Sequence, residues 1–307
     1  MPKKPQILFG PAGWSYADWE GIVYPQRKPR GFHPAAYLAQ FFDTIEINTS
    51  FYNPLRPEVA SSWVGKVSAN PKFQFTAKLW KRFTHERGAS AEDEKVCKQG
   101  LRPLAEAGRL GALLLQFPWS FKNTPENRDY LGQLFTRFVE YPLVLEVRHN
   151  SWNEPEIFAW LGAENVGFCN IDQPVIGRSL APSEHATTPI GYVRLHGRNY
   201  QNWFTAEQSH ERYDYLYTTD ELKPWAERVG NLSQNAELVL VIANNHFEGK
   251  AVANALQLSS MVRGERVPVP ESLSARYPQL EEVASPAAAP SEPQRAGLLF
   301  GRPDDLS

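Results

Sequence analysis

The sequence is poor in cysteine, in long apolar runs and in the common nucleotide-binding and hydrolase motifs. Its two cysteines, Cys97 and Cys169, lie far apart in the chain, which excludes a disulfide-stapled scaffold and a cysteine-based zinc ribbon. No apolar run approaches the roughly 20 residues that a membrane-spanning helix needs. No apolar run follows the basic Lys3 and Lys4, as a secretory signal would require. We therefore expect a cytoplasmic chain with reduced cysteines and no membrane partner.

A strong excess of charge of one sign is also absent. The 307 residues carry 32 Lys and Arg against 34 Asp and Glu, a formal net charge of −2. This balance argues against non-specific coating of nucleic acid, but it allows a local basic groove, since one site responds to its local potential. The chain has no Gly-Lys-Ser/Thr phosphate loop and no Gly-x-Ser-x-Gly elbow. The protein classes built on those two motifs are therefore excluded.

Eight short apolar runs recur along the first 243 residues. Near-continuous apolar runs of this kind are typical of strands that are buried on both faces of a parallel sheet. The predicted strands are Ile7–Gly10, Thr44–Asn48, Phe73–Ala77, Ala112–Phe117, Leu143–Val147, Val166–Asn170, Gly191–His196 and Leu238–Ala243. Segments with helical apolar spacing, such as 127–139, lie between them. Strands that alternate with helices in this way predict a parallel α/β sheet.

Two eight-stranded arrangements are compatible with this pattern, a closed barrel and an open doubly wound sheet. An open sheet that binds a dinucleotide needs a glycine-rich turn after its first strand. Here Pro11 and Trp14 interrupt that turn. The number of strands and a folded length of roughly 250 residues favour the closed form. We therefore predict an α/β fold, a single (β/α)₈ TIM barrel over residues 1–262.

The composition changes after the last predicted helix. Residues 265–307 contain seven prolines and six alanines and show no amphipathic period. Such a segment cannot bury enough apolar surface to offset the entropy lost on ordering. We predict that residues 263–307 form a disordered, Pro/Ala-rich tail.

Polar and ionisable residues follow the apolar body of every predicted strand. In a TIM barrel these positions meet at one end, where the binding site is built. Charges inside an apolar strand are costly to bury unless they are paired. The predicted catalytic residues are Glu46, Glu146, His149 and His196. The predicted ligand-binding residues are Trp14, Tyr16, Asn48, Tyr52, Lys78, His85, Gln116, Arg148, Trp152, Asp172, Arg194, Arg198, Asn244 and Asn245.

The two glutamates allow different interpretations. Glu46 and Glu146 lie on separate strands, and two such carboxylates suit general acid/base work, as in glycoside hydrolysis. Either carboxylate equally suits an ion pair with Arg148 or Arg194 in a buried ring of salt bridges. Both interpretations stay open at the level of the sequence.

A divalent metal ion is a candidate cofactor. Carboxylates and imidazoles are ligands of hard and borderline metals. No His-Glu-x-x-His or similar local spacing supports such a site here. The candidate ligands are Glu46, Glu146, His149, Asp172 and His196.

Tryptophans accompany cationic residues after several strands. They are Trp14, Trp80, Trp119, Trp152 and Trp203, and some of them are expected to be loop anchors. Aromatic rings beside cations suit stacking on bases with phosphate contacts, or stacking on sugars. Lys78 occupies a position where a Schiff-base lysine could sit. The neighbouring Lys81 and Arg82 favour a phosphate contact instead.

Several of these strings resemble the YecE-like family (domain of unknown function 72). They are Gly13-Trp14-Ser15-Tyr16, Glu46-Ile47-Asn48, Leu115-Gln116-Phe117-Pro118, Glu146-Val147-Arg148-His149, Arg194-Leu195-His196-Gly197-Arg198 and Asn244-Asn245-His246. The resemblance extends from residue 7 to about residue 262. It implies a TIM barrel without an established activity. The shape of such barrels is similar to that of endonuclease-IV and xylose-isomerase barrels, which implies a nucleic-acid or sugar ligand by analogy of fold alone.

Three functions follow as hypotheses. The first is an enzyme, hydrolase or nuclease-like, that acts on nucleic acid or another phosphate-bearing ligand, as in DNA repair. The second is a non-catalytic module that binds nucleic acid by stacking. The third is a sugar-active enzyme that uses Glu46 and Glu146.

The predicted tail contains an apolar island at residues 294–300. Its string resembles the peptide with which proteins bind the bacterial sliding clamp, and Gln294, Leu299 and Phe300 match in register, whereas Gly297 does not. Two apolar anchors on a flexible terminus are suited to docking in a pocket. A chance match is the competing interpretation, because short motifs recur by accident. The island predicts the sliding clamp as a partner.

Overall fold

The computed structural model describes residues 4–201, 203 and 209–285. Its eight strands form one sheet in the order β1-β8-β7-β6-β5-β4-β3-β2, and every neighbouring pair is parallel. The strands are β1 Gln6–Pro11, β2 Thr44–Ile47, β3 Gln74–Lys78, β4 Leu110–Gln116, β5 Leu143–Glu146, β6 Gly167–Asp172, β7 Ile190–Leu195 and β8 Leu238–Ala243. Each predicted apolar run thus overlaps a strand of the sheet.

The two ends of the sheet meet between β1 and β2. A parallel bridge joins Ala12 to Glu46, and the Gly13 amide donates to the carbonyl of Glu46 over 2.8 Å. Gly10 permits this approach, because a Cβ atom there would lie 1.7 Å from the carbonyl oxygen of Thr44. The sheet is a nearly closed barrel, and the prediction of a TIM barrel is confirmed.

Helices cover the outside of the barrel. They are α1 Pro34–Leu38, α2 Thr49–Tyr52, α3 Pro57–Lys66, α4 Lys81–Thr84, α5 Ala91–Glu106, α6 Pro125–Arg137, α7 Pro155–Ala163, α8 Ser209–Arg212, α9 Thr219–Asn235, α10 Lys250–Arg263 and α11 Glu271–Arg276. Capping boxes at Ser90 and Thr218 start α5 and α9 by satisfying backbone N–H groups. Residues of the sheet and of the inner helix faces form one continuous apolar core.

The folded part of the chain extends beyond the predicted boundary at residue 262. Val267 bridges Ala284 in parallel register, and the side chains of Leu273, Tyr277 and Leu280 are buried. The expectation of a disordered tail is wrong for residues 263–285. These three apolar residues recur at helical spacing, and the surrounding prolines concealed that period.

The rest of the predicted tail lies outside the described residues. This includes the apolar island at 294–300, so the predicted sliding-clamp contact stays a prediction. Among the described helices, none is both long and apolar enough to cross a membrane.

Candidate functional site

A cavity of about 920 Å³ opens at the carboxyl-terminal ends of the strands. We call it the strand-end cavity. Its size is that of a small-molecule site. Aromatic rings, amides and cations dominate the lining, which consists of Tyr16, Ala17, Asp18, Asn48, Phe51, Tyr52, Lys78, His85, Gln116, Pro118, Trp119, Arg148, Gln173, Trp203, Arg212, Tyr213, Asn244, His246 and Phe247.

A group of buried charges lies inside the barrel and outside this lining. Glu46 on β2, Glu146 on β5, and Tyr192, Arg194 and His196 at β7 form what we call the ionic cluster. One Nη atom of Arg194 lies 2.7 Å from Glu46 Oε1, and its other Nη atom bonds Glu146 Oε2. The guanidinium therefore joins two carboxylates that have no exposed surface.

Both glutamates of the cluster accept further hydrogen bonds from neighbouring side chains. Arg148 donates to Glu146 Oε1 through Nε at 3.2 Å and through Nη2 at 3.0 Å. Tyr192 donates its hydroxyl to Glu46 Oε2 over 3.0 Å. Burial by itself would raise the pKa of Glu146, but the charge of Arg194 holds that pKa well below its usual value. Glu146 thus stays ionised and is bound by protein donors on both oxygens.

The histidine of the cluster is neutral. His196 Nε2 lies 3.2 Å from Glu146 Oε1, and its Nδ1 lies 3.0 Å from Asn244 Nδ2. Since the amide nitrogen can only donate, Nδ1 accepts, and Nε2 carries the proton that faces Glu146. Burial, reinforced by the charge of Arg148, lowers the pKa of His196 to about 3. This imidazole holds Glu146 in place without adding a charge.

Lys78 is the cation at the end of β3, and it is only partly buried. Its Nζ lies 4.4 Å from the centroid of the Phe51 ring, within cation–π distance. Over the described ranges, no carboxylate lies within ion-pair distance of Nζ. Burial, followed by the charge of Arg194, lowers the pKa of Lys78 to about 8. Lys78 therefore changes its charge close to neutral pH.

His85 is the exposed neighbour of Lys78 in the cavity. Its ring packs edge-on against Phe51 at 4.9 Å, and its Nδ1 lies 2.9 Å from the Thr84 hydroxyl. Partial burial and the charge of Lys78 lower the pKa of His85. At neutral pH the imidazole is uncharged and offers Nε2 to a ligand.

The wall formed by the first and last strands is polar and aromatic. Tyr16 stacks on His246 with ring centroids 4.4 Å apart, and its hydroxyl donates to the Ala12 carbonyl over 2.8 Å. Asn48 Nδ2 lies 3.3 Å from that same hydroxyl. Within the described structure, the buried Asn48 Oδ1 has no hydrogen-bond partner. This oxygen has almost no accessible surface, so a ligand does not reach it in this conformation.

Aromatic side chains frame the mouth of the cavity. Tyr52 is 60% exposed and Trp119 is 37% exposed, which is unusual for such large rings. Trp203 is buried, and the Arg148 guanidinium lies 5.7 Å from its ring. Two rings are therefore free to stack on a ligand, and a third holds Arg148.

The cavity unites about half of the predicted ligand-binding residues. The members that line it are Tyr16, Asn48, Tyr52, Lys78, His85, Gln116, Arg148 and Asn244. Of the predicted catalytic residues, Glu46, Glu146 and His196 lie in the ionic cluster instead. His149 lies behind the rim, with its ring 5.2 Å from Trp119 and its Nδ1 accepting from the Ser151 amide. None of these four lines the cavity.

Two of the predicted tryptophans are packing residues. Trp14 packs edge-on against Trp63 with centroids 4.9 Å apart. Trp152 is fully buried, and its indole nitrogen donates to the Phe121 carbonyl over 2.8 Å. Both rings anchor loops, as large buried aromatics commonly do.

Polar residues at the ends of β6, β7 and β8 also find partners within the protein. Arg198 binds Asp172 through two nitrogens, with a shortest separation of 2.9 Å. Asn245 donates to the Tyr215 carbonyl over 2.7 Å. Arg194 belongs to the ionic cluster and does not line the cavity. These four predicted ligand contacts therefore connect parts of the fold to one another.

Several lining residues escaped the sequence analysis. Arg212 and Tyr213 follow β7 in a connection without an apolar period, so no pattern placed them near the site. Gln173 follows β6, and Asp18 and Phe247 lie in short 3₁₀ turns after β1 and β8. The available signal was their position in loops that follow strand ends.

The five candidate metal ligands do not assemble. Arg194 lies between Glu46 and Glu146, and Asp172 is bound to Arg198. In the part of the chain that the structure describes, no three His, Cys, Asp or Glu side chains form a group able to hold a metal ion.

A family model described as "Protein of unknown function DUF72" matches residues 8–278 of the chain. The chain belongs to the DUF72 family. A DUF72 family protein of Thermotoga maritima is 34% identical, with a TM-score of 0.73 over 84% of this chain and 99% of that one. A DUF72 family protein of Enterococcus faecalis is 26% identical, with a TM-score of 0.73 over 84% and 96%. No curated protein matches the chain.

Proposed function

We propose that this DUF72 protein binds a phosphate-bearing small molecule, such as a nucleotide or a sugar phosphate, in the strand-end cavity and transforms it there. The observation that carries the proposal is the charge of the lining. Three cations, Lys78, Arg148 and Arg212, face the cavity with one carboxylate, Asp18. Asp18 already accepts a hydrogen bond from the Glu248 amide. An anion is the ligand that such a lining stabilises.

Arg148 is the natural anchor for the phosphate. Glu146 and the Trp203 ring fix its guanidinium, and an arginine stays charged at every physiological pH. Lys78 adds a second positive charge at the end of β3 when it is protonated. A planar guanidinium held in this way offers directed donors to phosphate oxygens.

The remaining lining suits the rest of such a ligand. Tyr52 and Trp119 present exposed rings on which a base or a sugar face can stack. The cavity also contains one group able to move a proton near neutral pH, the Lys78 amine, whose pKa is lowered to about 8.

The test compares ligands that differ only by the phosphate. We expect AMP and glucose 6-phosphate to bind more tightly than adenosine and glucose, and added NaCl to weaken only the phosphate-bearing members. Replacing Lys78 with Met should weaken phosphate binding about tenfold, the effect of one charge-assisted hydrogen bond. Lys81→Met is the matched control, because Lys81 pairs with Glu86 outside the cavity. Titration calorimetry measures binding, and phosphorus NMR with and without divalent metal measures turnover. Equal binding of both members of each pair would contradict the proposal.

A non-catalytic module for single-stranded nucleic acid is the second candidate. The observation that favours it is the exposure of Tyr52 and Trp119 at the mouth, where a strand could pass with one base in the cavity. Binding would then tighten from a mononucleotide to a short oligonucleotide, and the salt dependence would become steeper. If affinity does not depend on strand length, the small-molecule proposal is preferred.

The geometry disfavours the sugar-active enzyme built on Glu46 and Glu146. Both carboxylates bind Arg194, and neither lines the cavity. A glycosidase acid must carry a proton near neutral pH, whereas the pKa of Glu146 is held well below its usual value.

A further inference from the structure

The surroundings of Lys78 differ from those that a residue needs only to bind an anion. It ends a barrel strand inside a cavity, it is only partly buried, and its Nζ lies against the Phe51 ring. The described residues place no carboxylate within ion-pair distance of it. Arg148 already supplies a permanent positive charge to the same cavity.

We infer that Lys78 is a covalent residue that forms a Schiff base with the aldehyde or ketone carbonyl of a phosphate-bearing ligand. The inference rests on the proposed function, because Arg148 would hold the phosphate while Lys78 reacts with the carbonyl. It also names the class of substrate, a phosphorylated carbonyl compound.

The chemistry needs nothing beyond the two partners. The neutral Nζ adds its electron pair to the carbonyl carbon, so that a C–N bond forms, and one of the two Nζ protons passes to the carbonyl oxygen to give a carbinolamine. The C–O bond then breaks, the oxygen leaves as water with the second Nζ proton, and a C=N bond replaces the C=O bond. No electron donor or acceptor is consumed. The imine can then stabilise negative charge on the carbon next to it.

The surroundings keep the amine reactive. Burial and the charge of Arg194 lower the pKa of Lys78 to about 8. At pH 7 this makes the neutral form roughly 100-fold more abundant than in an ordinary lysine. The neighbouring His85 is uncharged at that pH because its own pKa is lowered, so it adds no further positive charge beside Lys78.

The test uses pyridoxal 5′-phosphate as the probe, with pyridoxal as its phosphate-free counterpart. Borohydride reduces an imine to a stable amine, and peptide mass spectrometry then locates it. We expect pyridoxal 5′-phosphate to label Lys78 at least about tenfold faster than Lys81, given the larger neutral fraction. Pyridoxal should label Lys78 more slowly, and inorganic phosphate should slow labelling by the phosphorylated probe. The rate at Lys78 should level off above about pH 8, whereas an ordinary amine continues to gain reactivity up to about pH 10.4.

Lys78→Arg separates this inference from the proposed function. The variant keeps a positive charge and cannot form an imine, so we expect it to lose the adduct at position 78 while its affinity for inorganic phosphate falls by less than in Lys78→Met. Lys81→Arg should leave the Lys78 adduct intact. If phosphate binds but Lys78 reacts no faster than Lys81, the covalent role is wrong and the proposed function stands. If neither phosphate nor the probe binds, both are wrong.

Discussion

The ionic cluster and the strand-end cavity both contain cationic and aromatic side chains at the same end of the barrel, but they differ in where the cations find their partners. In the cluster, Arg194 lies between Glu46 and Glu146, and the three side chains are almost wholly buried. In the cavity, Lys78 has no carboxylate partner among the described residues. Burial of a charge therefore does not identify a ligand site. A cation that faces a cavity without a carboxylate partner is the better candidate for a ligand contact.

Arg148 belongs to both regions and shows how they are connected. It donates to Glu146 of the cluster and also lines the cavity. The cluster can be regarded as the support that fixes the direction of this guanidinium, because Glu146 is itself held by Arg194 and His196. A change in the cluster should then act on stability first and on the ligand only through Arg148.

The largest expected effect is that of Arg194→Met. The sequence analysis predicted Arg194 as a ligand contact, and in the structure its guanidinium binds Glu46 and Glu146 of the cluster. The variant leaves two buried carboxylates without their shared cation, which should lower the free energy of unfolding by about 3–5 kcal/mol. Urea denaturation measures this loss. If the variant is fully stable but no longer binds phosphate, Arg194 contacts the ligand and does not stabilise the fold.

The second expected effect concerns the support of the cavity by the C-terminal segment. The Tyr277 hydroxyl donates to the Glu248 carbonyl over 2.7 Å, beside Phe247 of the lining. Leu273 is fully buried beneath this contact. Leu273→Ala should therefore cost about 2–4 kcal/mol and also weaken phosphate binding. Val139→Ala is the control, because Val139 is 75% exposed and does not line the cavity. If Leu273→Ala leaves the free energy of unfolding unchanged, the C-terminal segment does not stabilise the barrel.

The sequence predicts the barrel fold far better than it predicts which polar residues belong to the ionic cluster and which line the cavity. Eight apolar runs determine the barrel because a two-sided apolar strand fits few other folds. The sequence also predicts that Lys78 and Glu146 lie at the same end. It cannot predict which of them finds a partner, because the contacts of Arg194 cross the barrel between β2, β5 and β7.

The sequence analysis missed the C-terminal boundary of the folded domain and the cavity-lining loop residues for related reasons. Leu273, Tyr277 and Leu280 form too short a period to stand out among prolines, and only their packing against the barrel reveals it. Arg212 and Tyr213 reach the cavity through the connection after β7, whose course depends on tertiary contacts. The composition of a segment indicates its average character, but it does not reveal the few residues that pack against the barrel or reach the cavity.

The third expected effect is a pH dependence that belongs to the cluster. The pKa of His196 is about 3 in the folded protein and about 6.5 in an unfolded chain, so the unfolded state binds the proton more readily. The stability from the neutral imidazole is complete above about pH 6.5 and is lost as the pH falls toward 3. At pH 5 the loss should reach about 2 kcal/mol. His196→Gln should show a shallower decline in urea denaturation between pH 7 and 5. Parallel declines would show that His196 does not titrate in this way.

The smallest expected effect has the opposite sign and concerns Lys78 in the strand-end cavity. The pKa of Lys78 is lowered to about 8, which means that folding disfavours its charged form. Since the folded state releases this proton first, the unmodified protein should gain stability as the pH rises from about 8 to 10.4. Lys78→Met should lack that gain and should be more stable at pH 7 by roughly 1 kcal/mol, a value reduced for the solvent that reaches the partly buried ammonium. Urea denaturation at pH 7 and pH 10 checks both statements. If Lys78 lowers the stability of the folded protein and its removal weakens phosphate binding, its role is to bind the ligand and not to stabilise the fold. If Lys78→Met instead destabilises the protein as Arg194→Met does, the two regions are one structural network.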